Sequence, residues 1–540
     1  MRSLDDIEKY LGPSLQRHVG CDLIDLFPGA GVWSQKLRDI VQPRRHVLME
    51  PDEALYAPFL APLAAQPNTT VLAQSGLVWT DLNSVLESLP DQTPTPTLDP
   101  SSSPPPPASR NDTLLVTANL AAYPRTRMTA LYLFQLISAI RARTLFQRYG
   151  LVRMLLWVRP EDIRPTVLPT AVHQRGRSAI EAELACEWVH EVVGPDGQDP
   201  AVQASIYSSK KAGGPRDRAI ELASARRVLA ALGERGVQIP AGRETRLVRE
   251  ARGLEGAGDA AAEAALDERM LAPKLDTPYA AELRKLERDF EAGDFEKGSD
   301  EHKRLKTLRY RENSDTKQAR EYVELLADYA ELRRMHASGC PETEIRAAEE
   351  SWNEKVSGLN GHSLSNFRLL RDNLHLFRQE PPAMHWDRRT LEPLVARGDE
   401  FFPNVACSLL DVQPRAVDPL LASDREGGRV LDVLLKVMLR NSRVPAAERL
   451  DDVWTDAAEG ILAGCPALRD PARGGSAVGG VGAVAVRALN EGQWREIVRA
   501  WLGWHFRPGL DTLRRQHAEE EEEDDDEDGP GSQGSNDFLL

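Results

Sequence analysis

From Asp22 to Trp157 the chain alternates short apolar runs with stretches of helical length. DLIDL (22–26) runs into the glycine pair Gly29 and Gly31, and a helix is predicted from Val32 to Ile40. HVLME (46–50), Thr70–Ala73, TLLVTAN (113–119) and VRMLLWV (152–158) supply four more strands. Runs this apolar fit parallel strands buried on both faces, and the alternation predicts a parallel sheet covered by helices. Residues 128–146, MTALYLFQLISAIRARTLF, read as a buried helix of the same unit. Residues 93–112 carry a proline cluster that can neither donate to a ladder nor continue a helix, which predicts a surface loop.

From Gly194 the texture changes. Residues to about 370 are rich in Ala, Glu, Arg and Lys, and their apolar positions recur at three and four, as amphipathic helices require. The stretch REARGLEGAGDAAAEAALDE (249–268) has too little large apolar material to bury. Aromatic and branched residues return after Asn373, in EFFPNVACSLLDVQP, RVLDVLLKVMLRNSR and WREIVRAWLGWHFRPGL. The division expected is 1–193 as an α/β domain, 194–371 as a charged helical insertion, partly disordered, 372–517 as a mainly helical C-terminal domain, and 518–540 as a disordered acidic tail.

Charge adds less than its total suggests. The formal net charge is -16, but ten carboxylates lie between Glu519 and Asp528 and leave only -6 on the rest. A nucleic-acid partner is therefore not excluded, because binding follows local patches. The five cysteines show no CxxC or short His/Cys spacing, which argues against structural zinc and a disulfide scaffold and fits a reducing compartment. No apolar run approaches the ~20 residues that span a bilayer, so no membrane is expected. The first residues read as neither a secretory signal nor an Arg/Ser-rich presequence.

The candidate chemistry starts at the glycine turn. No GK[ST] follows it, so it is not a P-loop, and Gly29 and Gly31 alone make an incomplete dinucleotide fingerprint. Glu50 ends the next strand, where a carboxylate accepts hydrogen bonds from ribose hydroxyls. Together they point to an adenosine-type ligand such as S-adenosylmethionine; a bare tight turn beside a solvated strand end describes the same residues. Ser75 stands at the third strand end and Asn119 at the fourth, where an amide reaches an exocyclic amine.

DLFPGAGVWS, the acidic Glu50 and NLAAYP (119–124) resemble the family of rRNA adenine dimethyltransferases and the mitochondrial transcription factors derived from them, most closely the fungal specificity factors of the mitochondrial RNA polymerase. GLVRMLLWVRP, FFPNVACSLLDVQP and WLGWHFRPGL carry the same resemblance, over about residues 14–193 and 372–515. It implies a Rossmann-like class I methyltransferase sheet with a helical insertion and a smaller helical C-terminal domain. It also implies a mitochondrial matrix location, the mitochondrial RNA polymerase and promoter DNA with its unpaired strand as partners, and no required methylation. Gly29, Gly31, Glu50 and Ser75 then mark the cofactor site and Asn119 the transfer site. Ser75 and Gly76 stand where the family has an adenine-site Asp, and Ala121 and Ala122 stand where its catalytic motif has a proline and an aromatic.

For nucleic acid, Arg141, Arg143, Arg148 and Arg153, with Arg175 and Arg177, are the phosphate-contact candidates. Among aromatics Trp386, Trp504 and Phe506 are candidates for base stacking, beside Arg507, whereas Trp494 and Trp501 fall on one helical face and read as core. Three functions are therefore carried forward: a mitochondrial transcription initiation factor, an S-adenosylmethionine-dependent rRNA adenine N6-dimethyltransferase, and a noncatalytic mitochondrial ribosome assembly protein that binds rRNA.

Overall fold

The computed structural model describes residues 2–95, 108–122, 126–197, 216–253, 278–401, 404–441, 443–479 and 483–517. Most of the proline cluster, much of the 249–268 stretch, Tyr123 and Pro124 of NLAAYP, and the acidic tail lie outside them. After α1 (Arg2–Leu15), strands and helices alternate: β1 (Asp22–Leu26), α2 (Val32–Val41), β2 (Arg45–Met49), α3 (Glu53–Ala64), β3 (Thr69–Leu72), α4 (Trp79–Glu87), β4 (Arg110–Asn119), α5 (Thr126–Ala142) and β5 (Leu151–Val158). Then come α6 (Arg177–Ala185) and β6 (Cys186–Gly194). Strands β1 to β5 pair in parallel in the order β3-β2-β1-β4-β5. The order reverses between β1 and β4, and in open α/β sheets ligands bind beyond the strand C-termini at such a switch point.

Period-2 alternation decides which helix covers which face. Ile24, Leu26, Val47, Met49 and Val116 point toward α4 and α5, meeting Leu82, Leu86, Leu133 and Ile137. Leu23, Leu115 and Leu155 point the other way, against Ile7 and Leu11 of α1 and Leu37 and Val41 of α2. Helix α5 stops at Ala142 rather than continuing to Phe146, because Arg143 takes a left-handed conformation at φ +50°.

After β6 the chain leaves the sheet. It forms α7 (Arg218–Glu234), α8 (Arg246–Arg252), α9 (Pro278–Ala292), the long α10 (Asp300–Ser338), α11 (Glu342–Ser357) and α12 (Gly361–Phe377). It then returns as β7 (Leu394–Val395) and β8 (Ser408–Pro414). Strand β8 lies between β5 and β6, antiparallel to both. SLLDVQP, expected among the C-terminal helices, therefore belongs to the sheet, and the excursion is spliced between two strands that share a ladder.

Buried Arg153 explains why β8 seats there. Its guanidinium reaches both Asp411 oxygens (2.7 and 2.6 Å) and donates to the Ser14 carbonyl and hydroxyl (2.9 and 2.8 Å). The chain closes with α13 (Glu426–Met438), α14 (Ala446–Val453) and α15 (Glu491–Gly503). Trp494, Ile497, Val498 and Trp501 of α15 are buried there with Leu431, Leu434 and Met438, so the expected core face of this helix is found. Ile180 and Leu184 of α6 join the same cluster, which docks the helical region on the sheet domain. Among the described residues no helix is long and apolar enough to cross a membrane.

Candidate functional site

The turn after β1 sits at the switch point. Gly29 and Gly31 have φ of +56° and +71°, values that L side chains rarely adopt. Gly31 is also enclosed, since a Cβ there would lie 2.8 Å from Leu63 Cδ1 and 2.9 Å from Leu60 Cδ2 of α3. A Gly31→Ala substitution is expected to lower the urea-unfolding free energy by ~1–3 kcal/mol, through overpacking and backbone strain together. An unchanged midpoint would show that α3 does not clamp the turn.

Glu50 is 3% exposed, and each of its oxygens accepts one backbone N–H. Oε2 accepts from the Gly29 N–H at 2.9 Å and Oε1 from the Asp52 N–H at 3.1 Å. Burial raises its pKa above the ordinary glutamate value, and these two N–H groups oppose that rise. Phe27 is a residue the sequence reading passed over. It takes φ +59°, an outlier for a bulky side chain, and is 8% exposed in the core beside Leu26. Its only sequence signal is its place in LFPGAG, where an aromatic precedes Pro28 and the glycine pair.

The remaining strand ends are brought to the same edge. Ser75 Oγ accepts from the Leu77 N–H (3.3 Å), a local turn bond. Gly76 packs against Leu26 so closely that a Cβ would sit 2.6 Å from Leu26 Cδ2. Asn119 ends β4 opposite Trp157 of β5 and leads into a short helical turn, Leu120–Ala122. Tyr123, the aromatic of the motif, is outside the described residues. Trp33 fixes the first turn of α2 by donating from Nε1 to Thr117 Oγ1 (2.9 Å).

The arginines divide. Arg141 is 3% exposed and holds the Leu421 and Gly428 carbonyls and Asp432, with Glu181 at 3.6 Å. Arg153 is committed to Asp411, and buried Arg175 chelates Glu183 and donates to the Arg487 carbonyl at 2.7 Å. These three join elements internally and offer no guanidinium to a phosphate, which corrects the expectation for them. Arg143 is half-exposed at the end of α5. Arg148 faces Glu87 at the surface (3.5 Å), and Arg177 is 38% exposed between Glu181 and Asp432.

Trp386 is buried between two guanidiniums, Arg164 at 4.4 Å and Arg389 at 3.8 Å from its ring, and is not a stacking platform. Trp504 is half-buried, edge-on to Trp501 at 5.8 Å and pressed on Gly460. Arg507 pairs with Glu426, and Phe506 beside it is 80% exposed. Trp504 and Arg507 share one wide concavity, remote in sequence from the glycine turn. Among the described residues no group of three or more His, Cys, Asp or Glu side chains is placed to hold a metal ion.

Parallel strands ordered β3-β2-β1-β4-β5, an antiparallel strand inserted before β6, and a glycine turn facing an acidic second strand end define a class I methyltransferase-like domain. Residues 16–195 match the family model described as ribosomal RNA adenine dimethylase. The match starts just before β1 and ends just after β6, so it leaves out the excursion, β8 and the C-terminal helices. A comparison with curated proteins gives no significant match.

Proposed function

We propose that this chain is a mitochondrial transcription initiation factor that assists the mitochondrial RNA polymerase in recognising and melting promoter DNA, with the methyltransferase-like domain as a nucleic-acid platform that performs no methyl transfer. The observation that carries the noncatalytic part is what stands at the family's other site positions, where Ser75 replaces the adenine-site carboxylate and Ala121 and Ala122 replace the proline and aromatic of the catalytic motif. Glu50, the residue that would take ribose hydroxyls, is buried and holds the Gly29 and Asp52 N–H groups, which gives it a structural role in the scaffold. Ser75 supplies no carboxylate for an adenine. These residues fit a scaffold better than a cofactor cradle. The initiation role itself is supported by the resemblance of NLAAYP, FFPNVACSLLDVQP and WLGWHFRPGL to those factors, and by surface groups such as Arg177 and Phe506.

The second reading, an S-adenosylmethionine-dependent rRNA adenine N6-dimethyltransferase, is favoured by the family match and by the retained Gly29, Gly31, Glu50 and Asn119. Members of that family bind S-adenosylmethionine. Calorimetric titration separates the two. The expected result is no heat and no thermal protection by S-adenosylmethionine, together with increased fluorescence of a base-unstacking probe in promoter DNA when protein and polymerase are combined. Micromolar binding, about -8 kcal/mol, that disappears in Glu50→Ala and accompanies methyl incorporation into rRNA would move the assignment to the enzyme. A probe signal unchanged by the protein would remove the initiation role.

A further inference from the structure

The N-terminal half of α10 faces two ways. Leu305 and Leu308 are buried against Tyr279 and Leu283 of α9. On the opposite side Lys303, Lys306, Tyr310 and Lys317 recur at three, four and seven, the spacing of one helix face, and all four are exposed. Between His302 and Arg311 the chain carries five cations and no carboxylate. Tyr310 is 78% exposed and makes no ring contact or hydrogen bond among the described residues, so both faces of its ring are open and packing does not explain an aromatic here.

The cations divide by partner. Arg304 and Arg309 turn toward α9, where they reach Glu282 (2.7 Å) and Glu287 (2.9 Å), and Lys303 reaches Asp300 (2.7 Å). Arg311 lies over the Tyr279 ring at 4.5 Å. Lys306 and Lys317 have no ion-pair or hydrogen-bond partner among the described residues, and they stand on either side of Tyr310 along the helix. The His302 pKa is lowered first by desolvation and then by Lys306, Lys297 and Arg309, the mark of a positive local field.

We propose that this face of the excursion binds a single strand of nucleic acid, with a base stacked on Tyr310 and phosphates held by Lys306 and Lys317. The two lysines are eleven residues apart, ~16 Å along the helix, so a short run of nucleotides passes Tyr310 between them. Ammonium groups in a row suit a backbone of repeated phosphates, and every base offers a face to an aromatic ring. The ring is what selects the strand. In a duplex the base faces are stacked on one another, and an acidic peptide would pair with the lysines and leave Tyr310 in water. The face lies in the excursion, outside residues 16–195 that match the family model, so the inference goes beyond the proposed initiation role and does not depend on it.

The test is fluorescence anisotropy on the full chain with a labelled oligothymidylate of ~20 nucleotides, a duplex of the same length and poly-glutamate, between ~50 and ~200 mM salt. Tyr310→Ala is expected to weaken oligothymidylate binding about tenfold, the loss of one stacked base, with its salt dependence and the duplex affinity unchanged. Lys306→Ala/Lys317→Ala is expected to lower the slope of log affinity against log salt by ~1.4, two phosphate contacts at ~0.7 each. All three side chains are exposed, so both variants should keep the urea midpoint of the parent. Oligothymidylate affinity indifferent to Tyr310→Ala, an equal loss for the duplex, or an unchanged salt slope in the lysine variant would overturn the proposal. So would poly-glutamate binding that the lysine variant abolishes while oligothymidylate binding stays intact, which would make the face a dock for an acidic segment such as residues 519–528. No polymerase enters the assay, so its outcome is read separately from that of promoter melting.

Discussion

Replacing Arg175 with Glu is expected to unfold most of the stability margin of the protein rather than to change a binding surface. Arg175 is 2% exposed, donates from Nε to both Glu183 oxygens at 3.0 Å, and gives Nη1 to the Arg487 carbonyl. The substitution sets two carboxylates against each other in the interior and leaves that carbonyl without its donor. Breaking a buried pair costs ~3–5 kcal/mol, against a total of ~5–15 kcal/mol for a domain. Urea denaturation followed by tryptophan fluorescence should show the loss. A shift below ~1 kcal/mol, the size of a surface pair, would mean that Arg175 is not the strut described. Arg177→Ala should fall in that small range, because Arg177 is 38% exposed and Glu181 keeps the Ser138 hydroxyl at 2.7 Å. Strand-opening assays therefore report on Arg177, and would report on folding if Arg175 were changed.

Arg153→Ala should cost about as much, ~3–5 kcal/mol, and its effect should be concentrated where β8 enters the sheet. Among the described residues Asp411 would be left buried between β5 and β6 with the Trp188 indole N–H at 3.1 Å as its remaining side-chain hydrogen bond. The pair also has a pH signature. Burial pushes the Asp411 carboxyl up, but the charge and hydrogen bonds of Arg153 prevail and hold it below the usual carboxylate value. Its stabilisation is fully present above the unfolded value of about 3.9 and is lost as pH falls through the lower folded value. Unfolding free energies of the parent and Asp411→Asn should therefore converge below pH 4. Parallel curves from pH 7 to pH 2 would contradict this linkage.

The parts of the molecule legible in its sequence are those whose physics is local. Strands β1, β2 and β5 are buried on both faces, so DLIDL and VRMLLWV announce themselves as continuous apolar runs, and Val32–Val41 and Glu491–Gly503 are helices with clear periodicity. The place of β8 was not legible, because SLLDVQP carries Asp411 and Gln413 and finds its partners far away in sequence, Arg153 at a separation of 258. The basic stretch RARTLFQRYGLVR misled for the same reason. A guanidinium looks free until the carboxylate or carbonyl that occupies it is known, and those of Arg141 and Arg153 lie beyond residue 400. At the glycine turn the residue types were readable. That Glu50 takes the Gly29 N–H across 21 residues, and that α3 packs over Gly31, are long-range contacts that the residue types alone do not announce.

The splice between β6 and β8 also sets a timetable for synthesis. Chains emerge at ~5–20 residues per second, so the ~250 residues between β5 and β8 keep β5 waiting on the order of 12–50 s for its neighbour. Through that interval the nascent sheet presents a long apolar strand with an open ladder edge, the feature most prone to pair with another chain. A fragment ending near residue 195 would remain in that condition permanently. The segment that matches the dimethylase family model ends before the strand that pairs with β5, so expression trials should carry the chain past Pro414.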